Sequence, residues 1–285
     1  MRRFARSNSQ IIIPMSTVST RFTTVARGAG PARISSSSEI LGQRLSTLYA
    51  LSQRSSHVFG SPLGPLSVHG ETHHLPRFVY FGPCTSDDAV RLAFLAGFDH
   101  TDLRSTLALL HLVERLALSP EVGQGLNLSF FPLVDAVGLA RSLPDRGLAA
   151  ASWLDSSEPE IGLLRKDART RGYHGFVRVE TARGLDEVTV RLRGSPAGGT
   201  TPTGVELISS EELEPLPVRW EADPLAAGPT DGPLTLADDL PVQPFELTLL
   251  IPAAWSPELY REAVVSILKR FILRYRAIQA ISLHL

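Results

Sequence analysis

The residues of this sequence that could carry chemistry are carboxylates placed where apolar segments end. Asp99 and Asp102 follow the apolar run 90–98, and Glu180 lies near the end of the run 175–181. In an open α/β sheet, binding and catalytic groups gather at the carboxyl ends of the strands. Carboxylates at such an edge can bind hard cations or accept hydrogen bonds from the free N–H groups of a following helix. The sequence leaves both roles open.

A histidine-rich segment at 69–74 contains three histidines and one glutamate. His73 and His74 are adjacent, so on a strand they would point to opposite faces. We therefore expect an exposed hairpin here and not a metal site. The sequence contains no HExxH, GxSxG, Walker A or GxGxxG motif, the short patterns typical of zinc proteases, serine hydrolases and nucleotide-binding proteins.

Composition excludes several classes of protein. The chain has 285 residues, 43% of them hydrophobic, and a net charge of −1, which gives no electrostatic reason to bind nucleic acid or a membrane surface. The single cysteine, Cys84, excludes an internal disulfide and favours a reducing compartment, so we predict a cytoplasmic protein.

The first 38 residues contain no Asp or Glu and are rich in Ser, Thr and Arg. We interpret residues 1–36 as a disordered tail or a start assigned too early, while an organellar transit peptide is the alternative. Residues 37–285 are predicted to form one domain.

The chain alternates between segments with strand patterns and segments with helix patterns. Near-continuous apolar strands alternating with helices predict an α/β fold with a mixed, largely parallel sheet flanked by helices. The predicted helices are 38–54, 102–118, 158–171 and 257–280, and the predicted strands are 90–98, 126–134, 175–181, 187–193 and 244–251, with a hairpin inside 64–82.

Several short segments match one enzyme family in order and spacing. The turn Gly97-Phe98-Asp99-His100-Thr101-Asp102 stands where relatives have Gly-Ile-His-Gly-Asp-Glu, and Pro132–Gly138 stands where they have Pro-x-x-Asn-Pro-x-Gly. Glu158-Pro159-Glu160 matches a Ser-x-x-Pro-Glu helix start. Over about residues 75–280 the chain resembles the zinc carboxypeptidase superfamily, in its succinylglutamate desuccinylase/aspartoacylase-like branch. The resemblance implies a sandwich of helices around a mixed sheet.

The resemblance places the three zinc ligands of the family at residues that differ from the family pattern. Its His, Glu and His ligands fall at Asp99, Asp102 and Glu180. Three carboxylates make a poor zinc site and suit Mg²⁺, Mn²⁺ or Ca²⁺ better. Without metal, Asp99 and Asp102 would cap the following helix, and Glu180 would pair with a nearby arginine such as Arg178 or Arg183.

The substrate-binding and base positions of the family are also changed. The substrate-binding Asn and Arg fall at Ala151 and Ser152, and a serine does not replace a bidentate guanidinium. The general-base Glu falls at Leu250, and only a register shifted by four residues places Glu246 there. These changes predict a protein that has lost zinc and catalysis.

Two functions therefore stay open from the sequence. The first is a catalytically inactive protein with a binding, regulatory or scaffold role, without a cofactor, whose partner would be another protein such as an active relative. The second is a metal-dependent hydrolase of the carboxypeptidase or N-acyl amino acid deacylase type. In that case Asp99, Asp102 and Glu180 would hold Mg²⁺, Mn²⁺ or Ca²⁺, and Glu246 would be the base.

Overall fold

A computed structural model of the chain describes residues 34–86, 89–148, 156–193, 218–222 and 244–282. These residues belong to one compact unit, Ala32–Leu285. The helices are α1 Ile34–Ser52, α2 Arg104–Leu118, α3 Ala136–Arg141, α4 Pro159–Arg171 and α5 Pro257–Ser282. The strands are β1 Val58–Gly60, β2 Leu63–Val68, β3 Glu71–Leu75, β4 Phe78–Phe81, β5 Val90–Leu95, β6 Leu126–Phe131, β7 Gly175–Ala182, β8 Val188–Arg193, β9 Val218–Ala222 and β10 Phe245–Pro252.

The main sheet has eight strands in the order β1-β4-β6-β5-β7-β10-β8-β9. Its centre is parallel, since β6, β5, β7 and β10 all run in the same direction. An antiparallel strand flanks this centre on each side. Strand β4 is antiparallel to β6, and β8 is antiparallel to β10. The predicted mixed, largely parallel sheet is confirmed.

Both faces of the central strands are buried, which explains why their sequences are largely apolar. In β5, Phe94 belongs to the core that packs against α1, α2 and α5, whereas Ala93 and Leu95 belong to the core on the α4 side. Because neighbouring residues of a strand point to opposite faces, a strand covered on both sides must be apolar at nearly every position.

The hairpin is shorter than the sequence indicated. Strands β2 and β3 form a separate two-stranded sheet, and His69 and Gly70 between them have positive φ values of 49° and 83°. Two consecutive positive φ values are typical of the tight turns that match strand twist. Strand β4 leaves the hairpin and joins the main sheet, where it pairs with β6.

Other element boundaries differ from the predicted ones mainly at their ends. Helix α1 begins at Ile34, four residues before the predicted start, and the short elements β1, α3 and β9 were not predicted. The division at residue 36 between a tail and a domain stays a prediction. Among the helices in the described part of the chain, none has the length and apolar character needed to cross a bilayer.

Candidate functional site

The carboxyl ends of the parallel strands β5 and β7 bring three of the candidate residues, Asp99, Asp102 and Glu180, to one edge of the sheet. The loop after β5 is fixed to the loop after β6 by two backbone hydrogen bonds, from Val134 N to Ala96 O (3.0 Å) and from Asp135 N to Gly97 O (2.8 Å). Gly97 has φ 66°, and a Cβ atom there would lie 2.8 Å from the carbonyl oxygen of Pro132. The close approach of the two loops therefore requires glycine at this position.

Asp99 uses its side chain to close a local turn. Its Oδ1 atom accepts hydrogen bonds from the backbone N–H of Thr101 (2.8 Å) and from the Thr101 hydroxyl (2.6 Å). Thr101 precedes helix α2, so Asp99 does not bind a helical N–H group as predicted. It stabilises the turn that leads to the helix.

Asp102 forms an ion pair with Arg104, the first residue of α2. Arg104 donates to Asp102 from its backbone N–H (3.1 Å), from Nε (2.9 Å) and from Nη2 (2.7 Å). The backbone contact is the predicted interaction with a free helical N–H group. Burial would raise the pKa of Asp102, but hydrogen bonds from Arg104 and Thr181 and the charge of Arg104 hold it below its ordinary value. Asp102 is therefore ionised and already paired with a cation of the protein, the guanidinium of Arg104.

Arg104 and Tyr260 extend this pair across the ends of β7 and β10. Arg104 Nη1 donates to the carbonyl oxygen of Ala253 (2.6 Å), and its guanidinium lies 5.5 Å from the centre of the Tyr260 ring. The hydroxyl groups of Thr181 and Tyr260 are hydrogen-bonded to each other (3.1 Å). Burial is the main cause that raises the pKa of Tyr260 well above its usual range, so the phenol stays neutral. Together these contacts fix Asp102 against the strand ends.

Glu180 forms an ion pair with Arg178, one of the two arginines predicted for it. The guanidinium of Arg178 also lies over the Phe98 ring, 4.5 Å from its centre. Successive residues of a strand point to opposite faces, so Glu180 and Thr181 point away from each other. Thr181, which hydrogen-bonds Asp102, therefore lies on the opposite face of β7 from Glu180.

The pairing of β10 with β7 decides which residue lies beside Glu180. Leu250 is opposite Glu180, and Glu246 is opposite Phe176. Glu246 is four residues away along the strand, or about 13 Å. It is 7% exposed and lies at the start of β10, away from the carboxyl edge. The register therefore separates Glu246 from Asp99, Asp102 and Glu180, and the geometry does not support its predicted role as their base.

A second, larger polar cluster at the same edge was not predicted from the sequence. Its members are His100, Asp135, Arg146, Glu158 and Glu160. His100 Nδ1 donates to Asp135 Oδ2 (2.5 Å), and Arg146 Nη1 donates to Asp135 Oδ1 (2.8 Å) and to Glu160 Oε1 (2.5 Å). Arg146 also pairs with Glu158. Burial lowers the pKa of Arg146, but the three carboxylates raise it overall.

The position of Asp135 at the end of a predicted strand was a signal for this cluster, but its partners were not. His100 and Asp135 are 35 residues apart, and Arg146 lies beyond the short helix α3. Only the pairing of β5 with β6 brings the loops that carry His100 and Asp135 together.

Comparison with solved structures identifies the architecture. A metallo-carboxypeptidase from Burkholderia cenocepacia is similar over 83% of this chain and 69% of its own, with a TM-score of 0.60 and 13% identity. A metallo-carboxypeptidase from Pseudomonas aeruginosa has a TM-score of 0.56 and 15% identity, over 85% of this chain and 69% of its own. Thrombin activatable fibrinolysis inhibitor has a TM-score of 0.59 and 11% identity, over 84% of this chain and 73% of its own. No protein-family model and no curated protein matches the sequence.

This chain has the metallo-carboxypeptidase fold. The architecture implied by the sequence resemblance is confirmed, although at these identities the similarity establishes the fold alone. Whether the metallo-carboxypeptidase fold carries metal in this chain depends on its own side chains.

The donors at the ligand positions do not fit zinc. Zinc sites use imidazole or thiolate ligands, whereas Asp99, Asp102 and Glu180 supply only carboxylates, each with an internal hydrogen-bonding or ionic partner. In the described ranges, no group of three or more His, Cys, Asp and Glu side chains is arranged to hold a metal ion. A hard-metal site at Asp99, Asp102 and Glu180 therefore stays a prediction. Ala151 and Ser152, at the substrate-binding positions, lie outside the described residues.

Proposed function

We propose that this protein uses the metallo-carboxypeptidase fold for a binding or regulatory role and not for zinc-dependent hydrolysis. The observation that carries the proposal is the ion pair between Asp102 and Arg104. A carboxylate that receives three hydrogen bonds from one arginine would have to give up those contacts before it could bind a cation.

The second ligand position supports the same conclusion independently. Glu180, whose side chain is 21% exposed, is paired with Arg178, which is 3% exposed, so solvent screens the arginine end of the pair poorly. Releasing Glu180 to a metal would leave a buried guanidinium without that carboxylate. Removing one partner of a buried ion pair typically costs about 3–5 kcal/mol.

The alternative function is a hydrolase with a hard divalent metal at the same carboxylates. It needs Asp102 and Glu180 to turn towards each other and a base within hydrogen-bonding reach of the metal-bound water. Leu250 is opposite Glu180 and has no basic group. This alternative therefore requires a rearrangement of the strand ends.

Metal content distinguishes the two functions. The purified protein is dialysed with Zn²⁺, Mn²⁺ or Mg²⁺ and then against metal-free buffer, and bound metal is measured by elemental analysis. We expect no stoichiometric metal under any of these conditions. Near-stoichiometric metal that is lost in an Asp99→Ala, Glu180→Ala double variant would overturn the proposal and favour the hydrolase. An Asp145→Ala variant is a suitable control, because Asp145 is an exposed-loop carboxylate that accepts a hydrogen bond from the N–H of Gly147.

A binding role also predicts a protein partner, and an active relative with the same fold remains the hypothesis. Affinity purification of the tagged protein, followed by mass spectrometry, tests this hypothesis directly. Specific recovery of a metallo-carboxypeptidase would support it, and recovery of no specific protein would count against it.

A further inference from the structure

Three neighbouring strands place a row of side chains at the edge of the sheet opposite the candidate site. Phe81 at the end of β4 is paired with Asn127 near the start of β6, and Asn127 is paired with Arg91 near the start of β5. Paired residues of neighbouring strands point to the same face, so these three side chains lie side by side on one face of the sheet.

This row lines an open cavity of about 520 Å³, which we call the amino-edge cavity because it lies at the amino ends of β5 and β6. The loop 82–86 forms another part of its wall. Backbone hydrogen bonds fix that loop to the start of β6, from Gly82 N to Leu126 O (3.0 Å) and from Gly125 N to Pro83 O (2.8 Å). Sites for small molecules are typically largely pre-formed and have volumes of about 300–1,000 Å³. The amino-edge cavity has the size and the fixed wall of such a site.

The charge of the cavity favours an anion. The described residues that line it include no Asp or Glu, and Arg91 supplies a permanent positive charge. A hydrogen bond from Nη1 of Arg91 to the carbonyl oxygen of Arg171 (3.0 Å) holds this side chain in place. Asn127, next to Arg91, has an amide that donates hydrogen bonds. A guanidinium beside an amide suits a carboxylate, which accepts several hydrogen bonds and forms the strongest ones with cationic donors.

The other end of the row is apolar. Phe81 is 38% exposed and lies two strands away from Arg91, which corresponds to about 10 Å. A ligand with a carboxylate at one end and an apolar group at the other would span this distance.

We propose that the amino-edge cavity binds a small organic carboxylate, with the carboxylate at Arg91 and Asn127 and the apolar group against Phe81. The cavity is at the amino end of β5, whereas Asp99 and Asp102 follow its carboxyl end, so it is separate from the family's ligand positions. This inference gives the proposed binding role a class of ligand, but it does not depend on whether the protein binds metal.

The first test compares three ligands on the native protein. The full chain, labelled with ¹⁵N, is titrated with 3-phenylpropionate, and the dissociation constant is obtained from the shifts of its NMR signals. We expect saturable binding. Neutral 3-phenylpropanamide, which keeps the shape and lacks the charge, should bind at least about tenfold more weakly. Inorganic phosphate, which has charge but no apolar group, should also bind at least about tenfold more weakly.

The second test uses an Asn127→Asp substitution, which changes the shape of the cavity very little. It places a carboxylate beside Arg91, where it offsets the positive charge and repels the carboxylate of the ligand. We expect the dissociation constant of 3-phenylpropionate to rise at least about tenfold. Gln43→Glu is the matched control, because it makes the same change of charge at an exposed residue of α1 that does not line the cavity. It should leave the dissociation constant unchanged.

Three results would overturn the proposal. The first is a native protein that shows no saturable binding of 3-phenylpropionate. The second is equal binding of the amide or of phosphate, because the charge or the apolar group would then contribute nothing. The third is an unchanged dissociation constant in Asn127→Asp. The first two results need no variant, so a folding defect cannot hide them. None of the three concerns metal content, so they leave the proposed function to its own test.

Discussion

Replacing Arg146 by methionine should destabilise the protein strongly, because the substitution leaves carboxylates buried without their cation. Arg146 contacts Asp135, Glu158 and Glu160, and both Asp135 and Glu160 are 0% exposed. Methionine keeps much of the aliphatic volume and removes only the guanidinium, so the main change is the lost charge. Asp135 keeps the donors His100 and Gly138, so the largest effect should fall on Glu160.

The magnitude follows from the cost of breaking a buried ion pair, which is about 3–5 kcal/mol. In a domain of this size each kcal/mol lowers the melting temperature by about 2–4 °C, so we expect Tm to fall by roughly 6–20 °C. Urea unfolding followed by circular dichroism gives the free energy directly. Arg44→Met is the matched control, because Arg44 pairs with Glu114 at the surface, with 49% of its side chain exposed, and such pairs contribute about 1 kcal/mol or less.

The pH dependence makes the same prediction more specific. A buried carboxylate that has lost its cation becomes more stable when it takes up a proton. The folded Arg146→Met variant should therefore bind more protons than its unfolded state as the pH falls from neutral. Under that condition the stability of the variant rises relative to the native protein as the pH decreases, so the deficit should be smaller in mildly acidic buffer than at neutral pH. A deficit below about 1 kcal/mol, or one that stays constant with pH, would refute the electrostatic reasoning.

Two further predictions concern the loop after β5. Gly97→Ala should destabilise the protein by about 2 kcal/mol or more in urea unfolding, because it adds a clash with Pro132 O to the strain of φ 66°. Gly147→Ala, at φ 62° with nothing within 4 Å of its Cβ, should cost only the strain of about 1–2 kcal/mol, and equal losses would contradict the clash. Because the pKa of Asp102 is lowered in the folded state, its ionised carboxylate stabilises the protein at pH values above its ordinary pKa of 3.8. This stabilisation is lost as the pH falls further, through the pKa of the folded state. Asp102→Asn should therefore flatten the acid side of the stability profile, and an unchanged profile would show that Arg104 does not hold the carboxylate ionised.

The hydrophobic pattern was sufficient to predict the architecture. The runs 90–98, 126–134, 175–181 and 244–251 each overlap one of the four central parallel strands, because burial on both faces leaves a largely apolar signal. The hydrophobic pattern did not predict the shortest elements or the sheet to which a strand belongs. Strand β1 has three residues and α3 has six, too few to show a period, and β4 belongs to the main sheet through pairing that no local pattern specifies.

The sequence by itself determined the fold class and the carboxylate donors available at Asp99, Asp102 and Glu180, since residue identity alone decides which donors are available. It also indicated that Glu180 would pair with an arginine, and Arg178 is two residues away on the same strand face. Only the tertiary structure decided that Glu246 lies apart from the carboxyl edge and that His100 meets Asp135. Those placements depend on strand register and on contacts between residues distant in sequence, and a single-residue change in register reverses the direction of every side chain on a strand.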